Sequence, residues 1–412
     1  MTEQQTIANL MNKTDYIKTI FTSFSYRQFI DGVHWFARLM VNLNVKQKRR
    51  TEPSDHLDWE LEKDDITERA EWLYNMIMVE PEELQRKMPA ILGKHYGGEW
   101  AIYSVFMLIT ALANMSDIYP ELKAWAMERM ERLISLMLEP EMRLYDTESW
   151  GEDAFLGLNG TKDHMTFLSL MAVAIGHYIN CGGKNDKFND IFCRCCEVLN
   201  RRMLAKKDLN LRSFPRTPIF IADMGAAVVA LQMHSNLYGG CFDATVNKWI
   251  ELAKRNLTHK KTGLLIAIKW YGRKAGIRNV RGSYTGLTNY WLSMLNDKDF
   301  ARSQYQLMIR HLRKDTPVAG IKEYLYRAPK FKLDPDAGPI IYGISGSGTT
   351  FALGCVTYFK DYKFRNRILQ TAEIAGITKK DKKGRHYLLG KLALVGEATA
   401  LAMRTHHSYG II

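Results

Sequence analysis

Cysteine is scarce, with six residues in 412: Cys181, Cys193, Cys195, Cys196, Cys241 and Cys355. All lie in apolar, helix-like surroundings and not at the turn-rich spacings of a disulfide framework, so reduced thiols are expected. Cys193, Cys195 and Cys196 crowd onto one helix, whose single face cannot present three thiolates to one zinc. His164, His406 and His407 have no cysteine set beside them, and neither a metal nor another cofactor is expected. The opening residues, MTEQQTIANLMNKTDY, lack the basic-then-apolar order of a secretory leader. A cytoplasmic protein is the expectation. Residues 337–359 carry no charge, but they are crowded with Gly, Ser and Thr and start directly after Asp336, which favours a buried helix over a membrane span. No serine stands in G-x-S-x-G, which removes the usual support for a Ser/His/Asp triad. The stretch GISGSGTT, Gly343 to Thr350, falls one residue short of G-x-x-x-x-G-K-[ST]. Thr349 stands where that loop needs lysine, so its glycines are expected to serve helix packing or to leave room for a ligand.

Strand-like alternation is also hard to find, and what fills the chain is helical periodicity. The 46% hydrophobic composition is ample for a large core. Lys and Arg number 57 against 44 Asp and Glu, a net charge of +13, which raises the question of an anionic partner. The basic residues are scattered, with runs only at Lys46–Arg50 and Lys379–Arg385, so no specific nucleic acid is expected. The aromatic, basic-flanked segment YRQFIDGVHWFARLMVNL (26–43) offers a peripheral membrane contact. Self-association is left open.

From residue 98 the helices come in pairs, the first apolar all round and the second amphipathic. EWAIYSVFMLITALANM (99–115) precedes YPELKAWAMERMERLISLML (119–138), and HMTFLSLMAVAIGHYI (164–179) precedes KFNDIFCRCCEVLNRRML (187–204). IADMGAAVVALQMHSNLY (221–238) is followed by ATVNKWIELAKRNL (244–257), and YTGLTNYWLSML (284–295) by DFARSQYQLMIRHLR (299–313). PIIYGISGSGTTFALGCVTY (339–358) leads to KFRNRILQTAEIAG (363–376). The last apolar helix, 388–403, has no successor, and ITERAEWLYNMIM (66–78) is free to complete it. This alternation predicts an all-α fold, an (α/α)6 toroid over residues 56–412, with a helical extension at 1–55.

In such a ring the segments preceding the inner helices converge at one mouth. They carry Glu99 and Trp100; Asp163 and His164; Asp223; Arg281 and Tyr284; and Asp334, Asp336 and Tyr342. The insertion DTESWGEDAF adds Trp150, Glu152 and Asp153. Asp163 could equally be a helix cap, and Glu99 could complement a helix dipole. Asp223 and Asp336 are harder to dismiss, since a charge inside an apolar run is costly unless paired or used. The expected acid/base pair is Asp223 and Asp336, supported by Glu152 or Asp153. Glu99, Trp100, Trp150, Asp163, His164, Arg281, Tyr284 and Tyr342 are expected to line the substrate site.

GGEWAIYSVFMLITALANM, WGEDAFLGLNG, FIADMGAAVVAL, RGSYTG and DPDAGPIIYGISGSGTTFALG, in this order, resemble a bacterial family related to linalool dehydratase/isomerase, over roughly residues 90–405. The resemblance implies an (α/α)6 toroid and, in linalool dehydratase/isomerase itself, cofactor-free acid/base removal and shift of an allylic hydroxyl. It also implies tyrosine, aspartate, histidine and cysteine residues in the site. Here the implied histidine falls on Ser169, after Met165, and the implied cysteine falls near Ala222 and Asp223. Linalool turnover is therefore not expected; the pocket position, with Asp223 and Glu99 on its wall, is what carries over.

The expected function is a cofactor-independent acid/base enzyme, lyase- or isomerase-like, on an isoprenoid or other partly apolar hydroxylated small molecule. The same carboxylates would serve a glycoside hydrolase-like enzyme. The alternative without catalysis is a binding or scaffold toroid at an anionic surface.

Overall fold

A computed structural model describes residues 54–88, 94–270, 279–326, 331–334, 336–388, 390–391 and 393–407. The chain divides into two units, Met1–Glu52 and Pro53–Ile412. The first lies outside the described residues, and with it the helix expected at 26–43 and the basic run Lys46–Arg50. The second is mostly helical.

Six apolar helices form its interior: α3 (Lys94–Ile118), α6 (Met165–Asn180), α8 (Ile221–Tyr238), α10 (Gly282–Ser293), α12 (Gly346–Tyr358) and α14 (Leu394–Arg404). Each packs on the next in this order, and α14 packs on α3. Each also carries an amphipathic partner: α4 (Lys123–Leu138) on α3, α7 (Asp186–Leu204) on α6, and α9 (Asp243–Asn256) on α8. Likewise α11 (Lys298–Leu312) lies on α10, α13 (Tyr362–Gly376) on α12, and α1 (Trp59–Ile77) on α14. Two short helices, α2 (Pro81–Arg86) and α5 (Leu144–Trp150), pack against α3.

Side-chain pattern explains the two classes. In α6 every residue from Met165 to Tyr178 is buried, so no face is left to solvent. In α7 burial follows one stripe, Phe188, Phe192, Cys195, Cys196, Leu199 and Met203, at the spacing of a half-covered helix. Several outer helices start at side-chain caps: Asp58, Asn185, Asp297 and Asp361 accept from Glu60, Phe188, Phe300 and Phe364 backbone N–H groups. Inner α6, α8, α10 and α14 start without a cap from their own N-cap residue. Across the interior, Phe106 of α3 and Trp291 of α10 meet with ring centroids 5.8 Å apart, although these helices are not consecutive in the packing order. All six cysteines are free.

Strands are present nonetheless, nine among the described residues, each two to four residues long. Pairs β1 (Ile219–Phe220) with β2 (Ile268–Lys269), β3 (Arg313–Lys314) with β4 (Gly320–Ile321), and β8 (Thr378–Asp381) with β9 (Gly384–Tyr387) are antiparallel. A three-stranded sheet orders β5 (Phe331–Asp334), β6 (Gly338–Ile341) and β7 (Ile344–Ser345). This corrects the continuous helix expected at 339–358. The chain turns at Tyr342–Gly343, both left-handed (φ 53° and 78°), as a two-residue hairpin requires. Only then does Ser345 cap α12, its Oγ accepting from Gly348 N at 3.0 Å. The basic run Lys379–Arg385 is the β8–β9 hairpin, and the final apolar helix starts at Leu394 instead of 388. One helix among the described residues, His95–Ile118, is long and apolar enough to cross a membrane; most of it is buried within the fold.

Candidate functional site

Helix α3 opens with a run of site-type residues. At 100° per residue, His95, Tyr96, Glu99, Trp100 and Tyr103 share one face. Glu99 is the residue on which the surrounding charges act. Burial, then the charges of Asp223, Asp336 and Asp146, push its carboxyl up to about 8. His95 Nε2 lies 3.7 Å from its Oε2, and burial holds that imidazole towards the neutral form.

Asp223, in the first turn of α8, accepts a 2.5 Å hydrogen bond from Ser213 Oγ. Burial pushes its carboxyl up to about 6; the Ser213 bond opposes this and the charge of Asp336 adds to it. Tyrosines surround the pair. Burial, together with the charges of Asp223 and Glu99, drives the phenol of Tyr103 far above its ordinary range. Tyr145 on α5 is driven up by burial and by Asp146, Glu99 and Asp223, and its buried hydroxyl has no hydrogen-bond partner among the described residues. Tyr284 on α10 responds to burial, Asp336 and Asp223, donates to Asp336 Oδ2 at 2.9 Å, and stacks on Phe220 at 5.9 Å and 7°. These couplings bring Glu99, Asp223, Asp336, Tyr103, Tyr145 and Tyr284 within electrostatic reach of one another.

Asp336 differs from the expectation that it is a buried charge. It lies in the turn between β5 and β6 with its side chain half exposed, next to Arg281 Nη1 at 3.8 Å. Arg281 is occupied: Nε donates to Glu323 Oε1 at 2.6 Å and Nη2 to Asp334 Oδ1 at 3.0 Å. Its guanidinium also lies over Tyr284, 5.2 Å from the ring centroid. Glu323 is fully buried and accepts from Ser283 N and Ser283 Oγ, so it caps α10 from a distant segment. Arg281 is thus the brace that fixes α10 to the β5–β6 turn, with its charge spent on carboxylates already present.

A second group forms beside α5. His164 is completely buried, and its Nδ1 is 2.6 Å from Asp146 Oδ2. Trp150 lies 5.1 Å from its ring, and Glu152 Oε2 is 3.8 Å from Nε2. Because Asp146 also acts on Glu99 and Tyr145, this group adjoins the first.

The remaining expected residues go elsewhere. Asp153 binds Arg143 Nε at 2.6 Å and accepts from Phe155 and Leu156 N–H groups. Those bonds outweigh its burial and keep it acidic, as a loop anchor. Asp163 is not the cap of α6; it accepts from Arg212 N at 3.0 Å and lies 3.3 Å from Lys206 Nζ. Trp100 packs edge-on against Tyr96 at 6.2 Å. Tyr342 makes the hairpin turn, and its carbonyl accepts from Lys314 Nζ. Tyr103, Tyr145, Asp146, Ser213 and Glu323 escaped sequence reasoning. Asp146 opens the quoted insertion DTESWGEDAF, and Glu323 is a lone acid within AGIKEYLY; the other three carried no visible signal. No family model matches the chain, and no curated protein matches it.

Proposed function

We propose that the chain is an acid/base enzyme of the lyase or isomerase type, acting on a neutral, partly apolar, hydroxylated small molecule. The observation that carries this reading is two partly buried, electrostatically coupled carboxyls with separated proton affinities, Glu99 at about 8 and Asp223 at about 6. Near neutral pH the first is mostly protonated and the second mostly ionised, the arrangement that donates one proton while accepting another. Relative to the expected pair of Asp223 and Asp336, the donor role moves to Glu99, and Asp336 orients Tyr284. The tyrosine lining, with few free charges, suits an uncharged ligand.

The reading includes a closed (α/α)6 toroid and kinship with the linalool dehydratase/isomerase relatives. It is supported by the cyclic packing order of α3, α6, α8, α10, α12 and α14. It is also supported by the position of the five quoted motifs at or shortly before the starts of α3, α6, α8, α10 and α12. Cysteine and histidine chemistry of the linalool type stays outside it, because Ser169 and Ala222 stand at those places.

The test is turnover of a panel of isoprenoid and other partly apolar alcohols by the purified protein, followed by product chromatography. The expected profile of kcat/KM is bell-shaped, with limbs near 6 and 8, and E99Q and D223N each lose about 100-fold or more. Turnover that survives both substitutions sinks the proposal. A glycosidase reading draws on the same two carboxyls, which would serve as acid and base at a glycosidic bond. Release of nitrophenol from aryl glycosides, absent with the alcohol panel, would select it.

A further inference from the structure

The group around His164 contains more unsatisfied polar chemistry than any structural role explains. His164 is a non-glycine residue in the left-handed region (φ 42°, ψ 30°) at the start of α6, a conformation retained where surrounding structure imposes it. The imidazole meets Asp146 of α5 at 2.6 Å, and both side chains are fully buried. In the neutral ring with Nδ1 donating to Asp146, Nε2 carries a lone pair. That atom is buried and has no hydrogen-bond partner among the described residues, Glu152 Oε2 being 3.8 Å away. Trp150 Nε1, on a ring 5.1 Å from the imidazole, is also buried without a partner, as is Asp146 Oδ1. Buried polar atoms are nearly always satisfied, so neighbouring orphans, one donor and two acceptors, point to a group that completes them.

We propose that His164 Nε2 and Trp150 Nε1 form a hydroxyl-binding subsite, which receives a ligand hydroxyl other than the one at Glu99 and Asp223. A hydroxyl accepts from the indole N–H and donates to the imidazole lone pair with a single oxygen. An ammonium can donate to the imidazole but cannot accept from the indole. An anion meets the carboxylates Asp146 and Glu152. The inference rests on the reading of the pocket as a site for neutral hydroxylated molecules, and narrows the ligand class to molecules with at least two hydroxyls. Asp146 is a positioning residue here, fixing the ring and its tautomer. The carboxyl of Asp146 is itself pushed up by burial and drawn back by its bond to His164.

The experiment is a nitrogen-15 NMR titration of the full chain with 1,4-butanediol as probe, and with butylamine, butyrate and 1,4-dimethoxybutane as controls. The expected result is a shift of the Trp150 Nε1–H and His164 Nε2 resonances with the diol alone. W150F keeps an aromatic ring but removes the donor together with the five-membered half of the indole, and should weaken the diol about fivefold. H164Q should abolish the Trp150 shift. The idea is overturned if Trp150 does not respond in the wild type, or responds equally in H164Q, or responds as strongly to the amine or the diether. E99Q and D223N should leave the Trp150 shift in place. Loss of turnover in those two with a silent Trp150 removes the subsite alone, whereas a responsive Trp150 without turnover of any alcohol removes the enzyme reading alone.

Discussion

Glu99 and Asp153 show how little a residue type says before its neighbours are known. Asp153 has Arg143 and two backbone N–H groups and stays acidic, while Glu99 has burial and three like charges and holds its proton. A carboxyl raised in the fold binds more protons folded than unfolded, so its stabilising contribution is full below the ordinary value of 4.5 and is lost as pH rises through about 8. E99Q should therefore gain in thermal stability relative to the wild type between those limits, by up to about 1.4 kcal/mol per pKa unit of displacement. Unfolding midpoints of both proteins across that range check this; a constant difference would mean that the carboxyl is not displaced. Asp223 was legible because a charge in FIADMGAAVV needs a reason. Tyr103, Tyr145 and Asp146 were not, because their isolation from water depends on how α5 lies against α3, which no local pattern encodes. Asp336 misled for a related reason: its apolar sequence neighbours fold into a hairpin whose turn leaves its side chain half exposed.

Among the elements, the amphipathic outer helices were the easiest to place, since a one-sided apolar stripe recurring every three to four residues fits a helix and no strand. Residues 339–345 failed because a short apolar run has no period that separates a buried strand from a buried helix. The only clue was Tyr342–Gly343, a pair suited to a tight turn. Beyond it, the small residues of α12 have a definite use. A Cβ on Gly348 would lie 2.6 Å from the Gly282 carbonyl carbon and 2.8 Å from its oxygen, so α10 and α12 meet backbone to backbone. The broken resemblance to a phosphate loop is a helix crossing. G348A should cost about 1–3 kcal/mol and move α10, and with it Tyr284, away from Asp336. Denaturant melts measure the first effect, and tyrosine fluorescence in the presence and absence of D336N measures the second.

In the molecule as a whole, α1 precedes α3 in sequence yet packs against the last helix, α14, so the two ends of the described chain are joined by side chains. Arg365, fully buried, makes a two-pronged contact with Glu62 at 2.7 and 2.8 Å, and Arg404 Nε donates to the same carboxylate at 2.8 Å. Arg69 binds Asp65 and Glu397, each at 3.0 Å. Removing Arg365 leaves Glu62 with Arg404, so R365M should cost about 1–3 kcal/mol, and the E62Q/R365M double variant should lose less than the sum of the two single losses. Additive losses in the double variant would show that the two do not act as a pair. The helical alternation made the pairing of helices readable, but the ionic fastening was invisible, because, Asp65 with Arg69 apart, its partners lie more than 300 positions from one another. The contact between Phe106 and Trp291 ties α3 to α10 across the interior, so truncating both rings should cost less than the sum of the two single losses.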